Sequence, residues 1–289
     1  MVDSKINTDS QSLGRALATL EGVAELRSKL SGVDAWLVGG AVRDLLRGEG
    51  RADLDIAVVE DAAEVASRLG PPDTAAESFG TASVRLDGVR VDIARARRET
   101  YAHPGALPTV EPAPLADDLA RRDFTVNAMA LPLFGEVELV DPYSGAADLG
   151  AGLLRVLHAD SFRDDPTRAL RAARYAARLG FEVEPVTLAL LKETDLGTVS
   201  DDRVRAELRR IVAEETGPEA LMLLAGWGLA GIDAGAPSRL RATRELLADP
   251  DWGEIADPED ASLAAAVPSQ GAAARVADLT AAAPAHPSV

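Results

Sequence analysis

Residues 35 to 59 constrain the fold of this chain more than any other stretch. The run AWLV is short and wholly apolar, Gly39-Gly40 ends it, Ala41 to Arg47 has helical spacing, and Leu54 to Val59 reads as a second strand. Side chains two apart on a strand share a face, so Asp53 and Asp55 set two carboxylates side by side. Such a pair is costly without a neutralising cation, and magnesium suits carboxylate oxygens. The glycine pair lets the backbone approach a ligand closely. The helix that follows offers unpaired N–H groups and the positive end of its dipole, with Arg43 in its first turn in reach of a phosphate. Asp-x-Asp alone is common and usually a surface feature. Strand, Gly-Gly, helix and Asp-x-Asp in that order fit a metal-bound triphosphate.

Three further segments carry chemistry. Ser83 to Leu86 and Arg90 to Ala94 alternate around Asp87-Gly88, a hairpin signal. Asp92 lies in the second strand, where a third carboxylate serves as base for an attacking hydroxyl or as the ligand that positions it; the plainer alternative is a solvent-facing strand residue. In LARRDFTVNAMAL, Arg122 can hold phosphate bidentately. Asp123 and Asn127, four apart on a helix-like run, can hydrogen-bond a ribose, or Asp123 can simply cap that helix. In SFRDDPTRALRAARYAARLGF, Asp165 before Pro166 starts a helix expected to stop at Gly180. Arg168, Arg171, Arg174 and Arg178 share one of its faces. They form either a solvated stripe paired with local acids or a surface for nucleotide phosphate and base, with Asp165 and Arg168 presenting acceptor and donors like a Watson–Crick edge.

The rest sets the frame. Residues 11 to 31 read as one helix and Asp61 to Leu69 as another; Tyr101 to Pro114 reads as a proline-rich loop and Val137 to Val140 as a short strand. Beyond Pro166 the pattern is helical. After Gly235 it turns acidic and then Ala/Pro-rich, an end expected to fray. The chain of 289 residues has no cysteine, which excludes disulfides, thiolate metal sites and cysteine nucleophiles. His103, His158 and His286 are too far apart in sequence to suggest a histidine metal site. A net charge of −17 argues against a broadly basic nucleic-acid surface and leaves a local groove open. No run is apolar enough to span a membrane and the N-terminus lacks a signal peptide's apolar stretch, so the expected location is cytoplasmic.

Together these motifs resemble class II tRNA nucleotidyltransferases, the CCA-adding family, which also holds A-adding and CC-adding enzymes and bacterial poly(A) polymerases. The matching segments are GGAVRD with DLDIAV, RRDFTVNAM, DPYSGAADL with Arg155, DDPTRALRAARYAARLGF and, more weakly, SDDRVRAEL, in the family's order. The resemblance implies an α/β head of the polymerase-β-like type with a mixed sheet (1–155), an all-helical neck (156–235) and a shortened body remnant (236–289), α+β overall. It implies Mg2+ on Asp53 and Asp55, with Asp92 as third carboxylate. It implies nucleotide contacts at Gly40, Arg43 and Arg122, which join Gly39, Asp123 and Asn127 from the reading above as the expected nucleotide-binding set. Asp165 and Arg168 match the amino-acid template that selects CTP or ATP, and Arg171 and Arg174 match further nucleotide contacts. YAHPGALP falls where the family has a flexible loop.

Asp164 stands where Glu is usual, as does Asp202 in the weaker motif. The helical body that grips tRNA is expected to be short. The implied activity is addition of CMP and AMP to the 3′ end of tRNA by two-metal-ion transfer. The alternatives are poly(A) synthesis, and a non-catalytic paralogue that binds nucleotide or RNA.

Overall fold

A computed structural model describes residues 6–49, 53–71, 74–76, 80–86, 88–249 and 257–267. It divides into two compact units, Met1–Ser161 and Phe162–Val289.

The first unit opens with α1 (Ser10–Thr19), capped by the Asp9 carboxylate on the Ser12 N–H, and α2 (Val23–Lys29). The single helix expected over 11 to 31 is thus two, broken where Gly22 takes φ 81°. β1 (Ala35–Val38), α3 (Gly40–Leu46), β2 (Asp53–Val58) and α4 (Ala62–Leu69, capped by Asp61) follow as read. Next come β3 (Thr74–Ala76), β4 (Thr81–Leu86) and β5 (Val89–Arg95). Leu86 pairs with Val89, as a tight hairpin requires; Asp87 lies outside the described residues.

The stretch read as a proline-rich loop contains a strand. β6 (Arg97–Thr100) and β7 (Thr109–Pro112) pair antiparallel. A two-stranded ribbon consists of edges, where proline is tolerated. After α5 (Leu115–Ala120), the run read as a helix from Asp123 is a 3-10 turn, Thr125–Asn127, that feeds β8 (Ala130–Pro132). Pairing of β8 with β1 overrides the helical propensity of its residues. Val137 to Val140 is not a strand: only Val140 bridges, to Ala130. α6 (Gly145–Ala151) and β9 (Leu153–Leu154) complete the head.

The main sheet is mixed, in the order β3-β4-β5-β2-β1-β8, with β2 and β5 parallel and the other pairs antiparallel. One face carries Leu37, Leu54, Ile56, Val84, Val91 and Ile93, all fully buried, with α4 packed against β4 and β5. The other face is divided. At the β1–β8 side, Val38, Ala57 and Ala130 pack with Leu119 and Leu115 of α5. Toward the start of β2, the same face carries Asp53 and Asp55 and is only partly covered.

The second unit is helical: α7 (Ser161–Asp164) at the division, α8 (Thr167–Leu179), α9 (Pro185–Lys192), α10 (Asp201–Ala213), α11 (Gly217–Trp227), α12 (Ala236–Leu247) and α13 (Pro258–Ala266), with a short extended piece, β10 (Glu182–Val183), after α8. α8 packs on α10 and α11, α12 on α11, and α13 on α10 and α12. The described helices after residue 235 belong to the same compact unit as those before it. The Ala/Pro-rich end expected to fray lies outside the described residues.

Candidate active site

Register puts the three carboxylates on one face of the sheet. Asp55 pairs with Asp92 across the parallel β2–β5 ladder, and Asp53 pairs with Arg90. Directly registered residues point the same way, so Asp53, Asp55 and Asp92 share the partly open half of the sheet. Asp53 is exposed, and Asp55 and Asp92 are half-buried. Ser83, opposite Asp92 on β4, donates its hydroxyl to Asp92 Oδ1, and Arg90 Nε donates to the same oxygen at 3.0 Å. Among the described residues no three acidic or histidine side chains form a metal-binding group. Magnesium is held by one or two carboxylates with phosphate and water completing its shell. Asp53 and Asp55 fit such an ion by donor chemistry and shared face.

The second constellation centres on Asn127. Arg43, 1% exposed, donates through Nε to Asp44 Oδ1 at 2.7 Å and through Nη1 to Asn127 Oδ1 at 2.6 Å. The Asn127 amide donates in turn to Asp123 Oδ1 at 3.0 Å, and the Phe124 N–H donates to that oxygen at 2.8 Å. Asp123 and Asn127 are both buried, so the two residues expected to hold a ribose bond each other. Arg122 Nη1 donates to the Asn127 carbonyl at 3.3 Å. Its guanidinium lies against Gly39: a Cβ there would stand 2.6 Å from Nη1, and Gly39 has φ 66°. The first glycine of the pair thus makes room for an arginine of the same unit, a role its sequence context does not reveal. Gly40 begins α3.

The DPYSGAADL motif supports this turn. Asp141 accepts the N–H groups of Gly145 and Ala146, and Asp148 accepts from the Thr125 hydroxyl at 2.7 Å and from Arg155 at 3.0 Å. A Cβ on Gly145 would meet the Thr125 carbonyl oxygen at 2.2 Å, so only glycine permits this approach.

Asp118 is a member that sequence reasoning missed. It is 1% exposed and accepts from both Arg121 and Arg122. Burial alone pushes its carboxyl up, but the two guanidiniums outweigh this and hold it below the usual carboxylate range. The signal was present in DDLARR, where Asp118 stands three and four residues before the arginines, on one helical face.

In the second unit, α8 ends at Gly180 as expected, with φ 67°. Pro166 occupies the cap position, yet Asp165 supplies the capping bond by accepting from the Thr167 N–H at 3.0 Å. Asp165 also accepts from Arg203 at 2.9 Å, which ties the SDDRVRAEL motif to the start of α8. Arg168 is buried. Arg171, Arg174 and Arg178 surround Tyr175, the last two with guanidinium carbons 4.7 and 4.8 Å from the ring centroid. Arg174 and Arg178 also pair with Glu214, at 2.8 and 3.5 Å. Two of the four stripe arginines thus have a local acid beside them, and Tyr175 and Glu214 are partners the sequence did not single out.

The family described as the poly(A) polymerase head domain matches residues 35–155. An A-adding tRNA nucleotidyltransferase of Halalkalibacterium halodurans is 42% identical over 217 residues, 70% of this chain and 50% of the relative. A CC-adding tRNA nucleotidyltransferase of Deinococcus radiodurans is 42% identical over 210 residues, 70% of this chain and 56% of the relative. The chain thus spans about half the length of these curated relatives. Among solved structures, a CCA-adding enzyme in an apo form is 30% identical with TM-score 0.73, over 93% of this chain and 68% of the other. A tRNA nucleotidyltransferase complexed with a primer tRNA and an incoming ATP analogue is 32% identical with TM-score 0.66, over 84% of this chain and 74% of the other.

Proposed function

The chain belongs to the family of tRNA nucleotidyltransferases and poly(A) polymerases, and from that premise we propose that it adds CMP and AMP, or one of them, to the 3′ end of tRNA. The observation that carries this reading is the Asp55–Asp92 register, with Asp53 beside it, on the open half of the sheet. The reading places the protein in the cytoplasm with its acceptor.

In the proposed reaction the RNA 3′ oxygen forms a bond to the α-phosphorus of CTP or ATP. The bond from that phosphorus to the β-phosphate oxygen breaks, and pyrophosphate leaves. Asp53 and Asp55 would hold two magnesium ions, which when bound neutralise phosphate charge and lower the hydroxyl's pKa. Asp92 takes the hydroxyl proton or orients the hydroxyl. Arg122 faces phosphate charge, while Arg43 acts from within the fold, holding Asn127 in place. Asp165 and Arg168 carry base selection, with Arg171 and Arg174 as further nucleotide contacts.

The test is incubation with magnesium and labelled CTP or ATP, using tRNAs that end at the discriminator base, at C or at CC, and a generic RNA. Complete CCA, only C, or only A on tRNA identifies which member of the family this is. Long A tails on generic RNA identify a poly(A) polymerase. No incorporation on any acceptor, with nucleotide binding retained, overturns the enzyme reading in favour of a binding paralogue.

A further inference from the structure

Asp118 sits one helical turn before Arg122, and its two oxygens are divided between two arginines. Oδ1 accepts from Arg121 Nε and Nη2 at 3.0 and 2.7 Å, and Oδ2 accepts from Arg122 Nε and Nη2 at 3.3 and 2.9 Å. Arg121 has a second carboxylate in Glu99, at 2.9 Å. Arg122 has Asp118 as its only acidic partner among the described residues. Its third contact is the Asn127 carbonyl, and Gly39 closes the remaining side. A long, rotamer-rich side chain is thus held on three sides by buried groups, yet keeps 18% of its surface open. Only one of the three holding groups is charged, and a charge-assisted bond is about twice as strong as a neutral one.

We propose that Asp118 is the positioning residue for nucleotide binding: it fixes the Arg122 guanidinium so that no ordering remains to be done when a nucleoside triphosphate arrives. This rests on the reading of Arg122 as a phosphate contact. Pre-organisation of this kind acts on affinity, because a side chain already immobilised loses no further rotamer freedom on binding.

The test is calorimetric titration of ATP and of CTP into the full chain without RNA, so that no turnover occurs. The proteins are wild type, Asp118→Asn, Arg122→Gln and the double variant, each checked for folding by circular dichroism. Asp118→Asn is expected to weaken binding about tenfold, the scale seen when an outer-shell partner is lost. The double variant should match Arg122→Gln within about twofold, because Asp118 acts through Arg122. A merely structural role gives additive losses. Additivity, or unchanged binding by Asp118→Asn, overturns the proposal. Should Asp118→Asn fail to fold, Asp118→Glu keeps the charge and moves the carboxylate by one methylene; it should show a smaller loss that again disappears in the Arg122→Gln background. Wild type that binds neither nucleotide overturns the functional reading and this inference with it, whereas the outcomes above overturn this inference alone.

Discussion

The open half of the sheet and the Asn127 constellation lie in one compact unit and are built in opposite ways. On the sheet, Asp53, Asp55 and Asp92 are placed by backbone register and keep access to solvent. Around Asn127, Arg43 and Asp123 are nearly inaccessible and the Asn127 side chain bonds both, while buried Asp118 is held by Arg121 and Arg122. Burial imposes the second design, because a polar group removed from water must find partners within the fold. Exposure permits the first, because a carboxylate left in water keeps its hydration until a cation arrives. The difference predicts where function and stability can be separated by mutation.

The largest separation is expected at Asp55. Asp55→Ala should lower nucleotide transfer on the order of a thousandfold, comparable to losing a principal electrostatic stabiliser. Its unfolding midpoint should stay within about 2 °C of wild type, since its side chain is only half-buried on the open face. Parallel measurement of transfer rate and thermal melting checks both halves. A melt that collapses along with the activity would mean that the open face is part of the core.

Asn127→Ala should do the reverse. It removes from a buried site the bonds that Asn127 makes to Arg43 Nη1 and to Asp123 Oδ1, a loss of about 3 kcal/mol. For a unit of this size that is a fall in midpoint on the order of 8 °C. An unchanged melt would show that the hydrogen bonds around Asn127 do not hold the fold together.

The same contrast explains what was legible in the sequence. The carboxylates could be read because strand alternation is a local rule: Asp53 and Asp55 share a face whichever strand lies beside them. That Asp92 stands opposite Asp55 could not be read, because a parallel register is set by tertiary packing. Around Asn127 the residue types could be read and the bonds among them could not. Asp123 and Asn127 look like a ribose contact from spacing alone, yet in the fold each satisfies the other. Gly39 reads as a point where a ligand can approach the backbone, and only the fold shows that its positive φ and missing Cβ admit Arg122. The helix expected after Asp123 failed because a turn and a strand pairing with β1 satisfied the same backbone groups.

The smallest expected effect is at Arg90, and it tests how open the carboxylate face is. Arg90 is registered beside Asp53 and bonded to Asp92, with the two side chains 49% and 38% exposed. Exposed ion pairs contribute little, so Arg90→Gln should change stability by less than about 0.5 kcal/mol. It should also remove a positive charge that competes with a cation for the same oxygens. Titration with magnesium alone, without nucleotide, should show binding about threefold tighter than wild type at low salt. The gain should vanish as salt approaches 1 M, where screening shortens the reach of surface charges to about 3 Å. A gain that survives high salt would mean that these carboxylates are shielded from solvent, and the contrast with Asn127 would shrink to one of degree. Weaker magnesium binding in Arg90→Gln would mean that Arg90 orders the carboxylates rather than competing for them, so that the open face too would depend on side-chain partners.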